Sequence, residues 1–525
     1  MAQPAGLIIH ENLPDESARV RKRVVALVGA TLLFACIMST FVELKPRSAR
    51  LAMSNLQMAA LLPFVSWVLG NTLLKRFLPA LSLTSAELRI MLCVLWVGGS
   101  FAGFNWATMW TGMMASPYYL ASPENRWEEL FFQNMPWWAY PTDASGIVDG
   151  FYLGLNKGES VPWDAWAAPL FWAASAALAV TAIELGLTAI FQKQWVKNER
   201  LAYPVAQVSL ELTEGFDRRR GWPPFMCSKA FWIGFAIAAF PLLWNMVGYW
   251  VTGFPRIEIF EKYAGRRHIF VSRYLPLQAV SYCLLPTLIG FTFLCNLDIL
   301  FGIWSVYVVG LGARYSMNRF GYSVGSEGQV IEGDAIMNLF SDGAIVGLVL
   351  WAVWIARGHL RGVWNQVMRP PPKGGDSETV ILSPRLAVFT LGAGLLYMIF
   401  WLNGIGLQIP IAVFWLFIFC TGLFAAMKFL AASGFAYTYP FWEKTAERVS
   451  IDLLGTRSMT ESTMVGIKVV IFRTLAGWRV PPILPHVERI RGTGKGMVPL
   501  VVSSLIVGLL TSALYTIWLC YQEGG

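Results

Sequence analysis

Long apolar runs, each bounded by polar or basic residues, recur along the whole chain. Stretches 24–42, 56–74, 88–109, 166–191, 231–251, 277–295, 299–312, 336–355, 386–402, 409–427 and 497–520 are all largely apolar. A membrane-crossing helix needs roughly 20 such residues. Backbone amides in lipid must also be satisfied within the segment that carries them. The pattern predicts an all-α, polytopic bundle with about eleven transmembrane spans. Run 299–312 is short, and only Asn296, Leu297 and Asp298 part it from the run before. These two runs read either as a tight hairpin or as one interrupted segment.

Composition removes the main alternative. Of the 525 residues, 56% are hydrophobic and only 14% are charged, against about 25% charged in soluble domains. A string of soluble domains does not fit. The net charge of +9 reads as Lys and Arg on cytoplasmic loops rather than as a nucleic-acid surface. Cys36, Cys93, Cys227, Cys283, Cys295, Cys420 and Cys520 are scattered without a CxxC pair, and His10, His268, His359 and His486 lie outside the apolar runs. Neither a disulfide framework nor a metal or haem site is indicated. No P-loop or HExxH is present, so the chain reads as neither an ATP-driven machine nor an enzyme, and no cofactor is expected.

The basic residues set an expected orientation. Arg19, Arg21, Lys22 and Arg23 precede the first run, which is long enough to stay as a span rather than be cleaved. Further bases fall at Lys75 and Arg76, from Lys193 to Arg220, from Arg357 to Lys373 and from Lys428 to Lys495. Loop 117–164 instead carries Glu124, Glu128, Glu129, Asp143 and Asp149 with only Arg126 and Lys157 as bases. The positive-inside bias places the amino terminus in the cytoplasm and the carboxyl terminus outside, in the cytoplasmic membrane. The basic loop from Arg256 to Arg273 dissents from this count. The expected organisation is a cytoplasmic tail (1–23), an eight-span part (24–369), a flexible linker (370–384) and a three-span part (385–525). Loop 117–164, rich in Trp, Tyr, Pro and Gly, is expected as an outer lid. Segment 440–495, within the cytoplasmic stretch 428–496, is expected as short helices lying partly on the membrane.

Polar groups inside apolar runs are the best chemical signal, because a charge at the bilayer centre costs about 3 kcal/mol or more. Glu184 lies deep in the fourth run, between Ile183 and Leu185. It reads either as a proton or cation site or as a carboxyl hydrogen-bonded to a neighbouring helix for packing. Asp298 and Asp342 read as helix N-caps or as ion sites. Glu327, Glu332 and Asp334 lie in a Gly-rich stretch that is either a solvated loop or a re-entrant one. Asn105 and Asn245 sit in the third and fifth runs, the former after Gly98, Gly99 and Gly103, which suit close helix contact. Asn403 and Pro410, near Gly392, Gly394, Gly404 and Gly406, mark either packing or a broken helix whose free backbone groups would meet a solute.

The stretch 194–204, with Trp195, Glu199-Arg200-Leu201 and Tyr203-Pro204, resembles a large uncharacterised prokaryotic family of polytopic membrane proteins often grouped with oligopeptide transporters. Ser122-Pro123-Glu124-Asn125-Arg126-Trp127 is similar to that family's outer-loop motif, and Leu297-Asp298-Ile299-Leu300-Phe301 with Trp304 to another of its stretches. The likeness runs from about Val24 to Tyr521. Two departures stand out. Family members tend to carry an Arg–Glu pair late in the tenth span, where this chain has Lys428 and Ala432, and many continue past the last helix here. The resemblance implies a secondary transporter for a peptide or other small solute, with Glu184 and Asp298 in the pathway and Glu199 with Arg200 anchoring the fourth span. A structural subunit of a larger membrane complex is the alternative. Expected partners are the lipid bilayer, the solute, and a second membrane chain or further copies approaching Gly508, Ser512 and Ala513; nucleic acid is not among them.

Overall fold

The computed structural model describes residues 21–525 apart from short stretches, the longest being 258–266, 270–279, 325–332, 370–381, 436–444 and 469–482. In chain order the main helices are α1 (Lys22–Leu44), α2 (Met58–Phe77), α3 (Ser85–Gly99), α4 (Ala107–Leu120), α5 (Ile147–Leu153) and α6 (Trp163–Lys193). Then come α7 (Pro204–Thr213), α8 (Lys229–Val247), α9 (Pro286–Leu294), α10 (Leu297–Phe320), α11 (Gly333–Ile355) and α12 (Arg357–Met368). The last are α13 (Pro384–Gly404), α14 (Ile409–Ser433), α15 (Thr445–Leu454), α16 (Glu461–Lys468), α17 (Leu484–Arg491) and α18 (Met497–Glu523). A short antiparallel ribbon pairs Arg267–Ile269 with Val280–Tyr282.

Among the described residues, eight helices are long and apolar enough to cross a membrane: α1, α2, α6 with the π-helical turn that extends it to Asn198, α8, α10, α13, α14 and α18. α11 qualifies only together with α12, from which it is bent by 61°. The all-helical membrane architecture is as expected, but not every apolar run is one straight span. Run 88–109 breaks after Gly99; Gly103 takes a φ of +58°, open to a residue without a Cβ, and α4 restarts at Ala107. Run 277–295 holds the short strand Val280–Tyr282 and, as its one helix among the described residues, the 9-residue α9. Run 299–312 is not short, because the 24-residue α10 extends through Arg314 and Arg319 until Gly321 ends it at φ +63°.

Contacts define two ends of the bundle. Arg21, at the start of α1, clasps Glu87 in the first turn of α3, while Lys45, just past the end of α1, reaches Glu523 at 2.6 Å. α1 and α18 therefore end together, and α1 begins at the opposite, amino end. At the carboxyl end, Leu155 N donates to Tyr521 O (2.8 Å) and Trp138 rests against Trp172 and Trp401. Loop 117–164 thus packs over the end where α18 finishes. Segment 440–495 does not keep to a single end. Ser462 in α16 bonds Asn134 of the lid loop (2.8 Å), whereas Pro485 in α17 accepts from Gln192 near the amino end (3.3 Å).

The interior is built by small residues and tryptophans. Trp96, Trp110, Trp166, Trp195, Trp401 and Trp415 are fully buried. Gly186 lies against Leu391 and Ala387, and Gly394 against Ala179 and Ile183, so α6 and α13 run in close contact. Gly508 faces the backbone of Gly98, with Ser512 and Ala513 buried beside it. Between helices in lipid, such close approach replaces the hydrophobic drive available in water. The small residues of α18 that suggested a second chain are used within this one.

The amino-end clasp sits outside the spans and titrates. Thr84 and Glu87 form a reciprocal capping box, and Arg21 adds Nε to Glu87 Oε1 at 2.5 Å and Nη2 to Ser82 O at 2.8 Å. Burial alone would raise the Glu87 carboxyl, but the Arg21 hydrogen bonds, the Thr84 amide and the guanidinium charge outweigh it and hold the carboxyl below its ordinary value. A depressed carboxyl stabilises the fold above its unfolded value, about 4.3, and the benefit fades as pH falls through the folded value. Thermal unfolding of Glu87→Gln and the wild type should accordingly differ most near pH 7 and converge as the pH falls below the ordinary carboxyl range. A gap that stays constant over this range would remove the clasp from the account.

Candidate functional site

The face of α6 opposite α13 carries a column of polar groups. Thr181, Glu184, Thr188 and Gln192 follow spacings of three and four, which keeps them within about 80° of one another on a helix. All four are buried, and Glu184 and Thr188 are fully so. Thr181 Oγ1 donates back to Ala177 O at 2.9 Å. Among the described residues, both Glu184 carboxyl oxygens and Thr188 Oγ1 lack hydrogen-bond partners. A buried unsatisfied polar group costs about 1–3 kcal/mol, and more when charged. Charge on Glu184 therefore needs a proton, a cation or a moved neighbour to offset it. Beside Thr181, a cavity of single-water size is bounded by Val97, Ser100 and Phe101 at the break after α3, by Ile483 and Leu484, and by Leu505 of α18. The interrupted helix and Thr181, at one end of the polar column, thus meet at this cavity.

Towards the amino end, α17 closes the column. Gln192 Nε2 donates to Pro485 O, and Tyr203 OH donates to Gln192 Oε1 at 3.2 Å. The Tyr203 ring meets His486 edge-on at 5.2 Å, and Trp96 lies 6.3 Å from the imidazole on its other side. Neither His486 nitrogen has a hydrogen-bond partner among the described residues, and burial pushes the imidazole down to about 3. It is neutral at ordinary pH. Cys93 Sγ approaches Val487 O at 3.8 Å, which ties α17 to α3 as well. At the same end, Lys428 Nζ lies 2.7 Å from Glu199 Oε2, with both side chains largely buried. Lys428, which departs from the expected pair, makes an ion pair after all, with a different partner.

Of the residues singled out in the sequence, only Glu184 lies in this column. Asp298 is exposed in the first turn of α10, and the N-cap position is Asn296, whose side chain makes no capping bond. Asp342 is interior to α11, which begins at Gly333, so it does not sit at the N-cap of that helix. Asn245 brackets Ile257 with its amide, donating at 2.9 Å and accepting at 2.8 Å. Asn403 is exposed and donates to Leu407 O (2.9 Å) across the α13–α14 turn. Asn105, Glu327 and Glu332 lie outside the described residues. Thr188 and Gln192 escape sequence reasoning, although the Thr181–Gln192 periodicity carries the signal, and the sequence gives no sign that Tyr203 and His486 close this column.

A profile for a family of unknown function, DUF6785, matches residues 14–525. The chain belongs to the DUF6785 family. A search of curated proteins gives no match. The family description assigns no activity and carries no link to oligopeptide transporters. In this DUF6785 member the conspicuous motifs build the scaffold. Asn125 Oδ1 accepts from Ser122 N (3.0 Å) and Trp127 N (3.1 Å) and its amide donates to Leu120 O (2.7 Å), tying the turn after α4. Arg126, at φ +52°, pairs with Glu129 on the surface. Trp195 is buried against Phe191 and Phe424. Pro204 opens α7 and packs on Gly434, while Tyr203 N donates to Ala431 O at 2.8 Å. Arg200 is exposed at φ +52°. Glu199 with Lys428, rather than with Arg200, fastens the end of α6 to α14.

Proposed function

We propose that this protein is a secondary transporter moving a peptide or comparable small solute across the cytoplasmic membrane by alternating access, with Glu184 as its coupling acid. The observation that carries this reading is a fully buried carboxyl in a membrane span, with both oxygens unpaired among the described residues, in a column with Thr188 and Gln192. Intramembrane acids of this kind mark ion and solute routes. The α3–α4 break, which meets the column at Thr181, supplies the irregular backbone that transporters use at their sites. In this reading the amino end faces the cytoplasm, α17 closes the inner side and loop 117–164 covers the outer one. The sequence resemblance to oligopeptide transporters supports the solute class. The test is a thermal-unfolding screen of the purified protein with short peptides and small solutes at pH 5.5 and 7.5. A solute at 100 times its Kd should stabilise by about 2.7 kcal/mol. A screen in which no solute shifts the midpoint at either pH counts against the proposal.

One observation favours a second reading, a subunit of a larger membrane complex or homo-oligomer. Among the described residues α10 buries none and α8 only Pro241, so much of the apolar surface of these two helices is left uncovered by the rest of the chain. Native mass spectrometry after mild extraction separates the two readings: a stoichiometric second subunit supports this one, and a lone folded 58.5 kDa chain opposes it.

A further inference from the structure

Beyond the polar column, α12 carries an arrangement that transport does not use. It leaves α11 at a 61° bend, so it turns away from the span and towards the membrane plane. One side rests on the fold: Leu360 packs on the core, and His359 Nε2 lies 2.7 Å from Ile190 O near the end of α6. The other side presents Arg357, Arg361, Trp364 and Met368, all exposed, at spacings of four, three and four that align them along one face. Trp354 extends this face by a turn, and the Arg357 guanidinium stacks over its ring at 4.7 Å. Arg385 donates to the carbonyls of Val367 (2.9 Å) and Arg369 (2.8 Å), placing a further cation at the helix C-terminus.

The charge is one-sided. From Asp342 to Asp376 the sequence contains no acidic residue between those two, while Arg357, Arg361, Arg369 and Lys373 all fall there. No carboxylate among the described residues pairs with Arg357, Arg361, Arg369 or Arg385. Arginine offers a planar fork that matches phosphate oxygens, and Trp rings favour the headgroup layer. An amphipathic helix with basic and aromatic residues on one exposed face, at the end of a membrane span, matches an anionic bilayer surface. A protein partner would need acidic groups and would leave the bend and the exposed Trp354 and Trp364 without a role.

We infer that α12 with Arg385 is a binding site for the phosphate headgroup of anionic phospholipids, with Arg357 and Arg361 as its principal contacts. This does not depend on what the protein transports. The test is native mass spectrometry of the full chain released from nanodiscs of equal phosphatidylglycerol and phosphatidylcholine content. The wild type should retain phosphatidylglycerol in preference, and the preference should weaken as salt rises from 0.15 M to 1 M. The double variant Arg357→Gln/Arg361→Gln should bind phosphatidylglycerol about ten- to thirtyfold more weakly, and Arg357→Lys/Arg361→Lys should keep most of the affinity. Equal retention of both lipids by the wild type, or undiminished phosphatidylglycerol binding by the Gln variant, overturns the inference. Displacement of the lipid by millimolar inorganic phosphate would overturn the lipid assignment in favour of a soluble-phosphate site. If the Gln variant fails to fold, the wild-type lipid preference and its salt dependence still decide.

Discussion

Glu184→Gln is expected to leave the protein folded while abolishing the dependence of solute uptake on a pH gradient. The amide has nearly the size of the carboxyl and cannot lose a proton in this range, so it removes the titrating group without opening a cavity. Because both carboxyl oxygens are buried without partners among the described residues, the carboxyl adds nothing to stability that the variant would lose, and the unfolding midpoint should hold or rise. In proteoliposomes, gradient-driven accumulation should fall at least tenfold, while exchange between internal and external solute persists. That split separates a coupling acid from a packing residue. Uptake with unaltered pH dependence would reduce Glu184 to packing, and a loss of folding would mean that the carboxyl has a partner in the bilayer.

The second large effect concerns the contact between α3 and α18. A Cβ added at Gly508 would lie 2.1 Å from Gly98 O, and one at Gly98 would lie 2.7 Å from Ser504 O. Both obstacles are backbone, which cannot rotate aside. Gly508→Val is therefore expected to destabilise the protein by about 3 kcal/mol or more, at the upper end of overpacking effects. Gly29 in α1 has no atom within 4 Å of its Cβ position, so Gly29→Ala should be neutral or slightly stabilising. Thermal unfolding in one detergent compares the two. A Gly508→Val midpoint equal to the wild type would contradict the close approach of the two helices. The same contact bears on the site, since Gly98 lies in the last turn of the helix whose break borders the cavity near Thr181.

How much was legible follows from what apolar periodicity can register. α1, α2, α6, α13, α14 and α18 follow runs of about 20 residues, and each is recovered where the run predicts it. An apolar window passes over Gly98, Gly99 and Gly103, so the break after α3 is invisible to it. It also ends α10 early, because it penalises Arg314 and Arg319 although the helix continues through them. Glu184 stands out in sequence because a charge among apolar neighbours is conspicuous. His486 does not, since its burial depends on α17 folding against α6, and that contact joins residues 293 positions apart. Asp342 was misplaced because the start of α11 at Gly333 lies in a polar, Gly-rich stretch with no apolar signal. The 194–204 motif was recognisable, but its work as the dock between α6, α7 and α14 emerges only when Lys428 and Ala431 come beside it.

Transport itself is tested most directly by reconstituting the full chain into proteoliposomes, imposing a pH gradient of either sign, and identifying by mass spectrometry which members of a peptide and small-solute pool enter the lumen. The account predicts accumulation of a defined solute class under one sign of the gradient, collapsed by a protonophore and lost in Glu184→Gln. No uptake above protein-free vesicles under either gradient, with the protein verified as folded and inserted in both orientations, would contradict it.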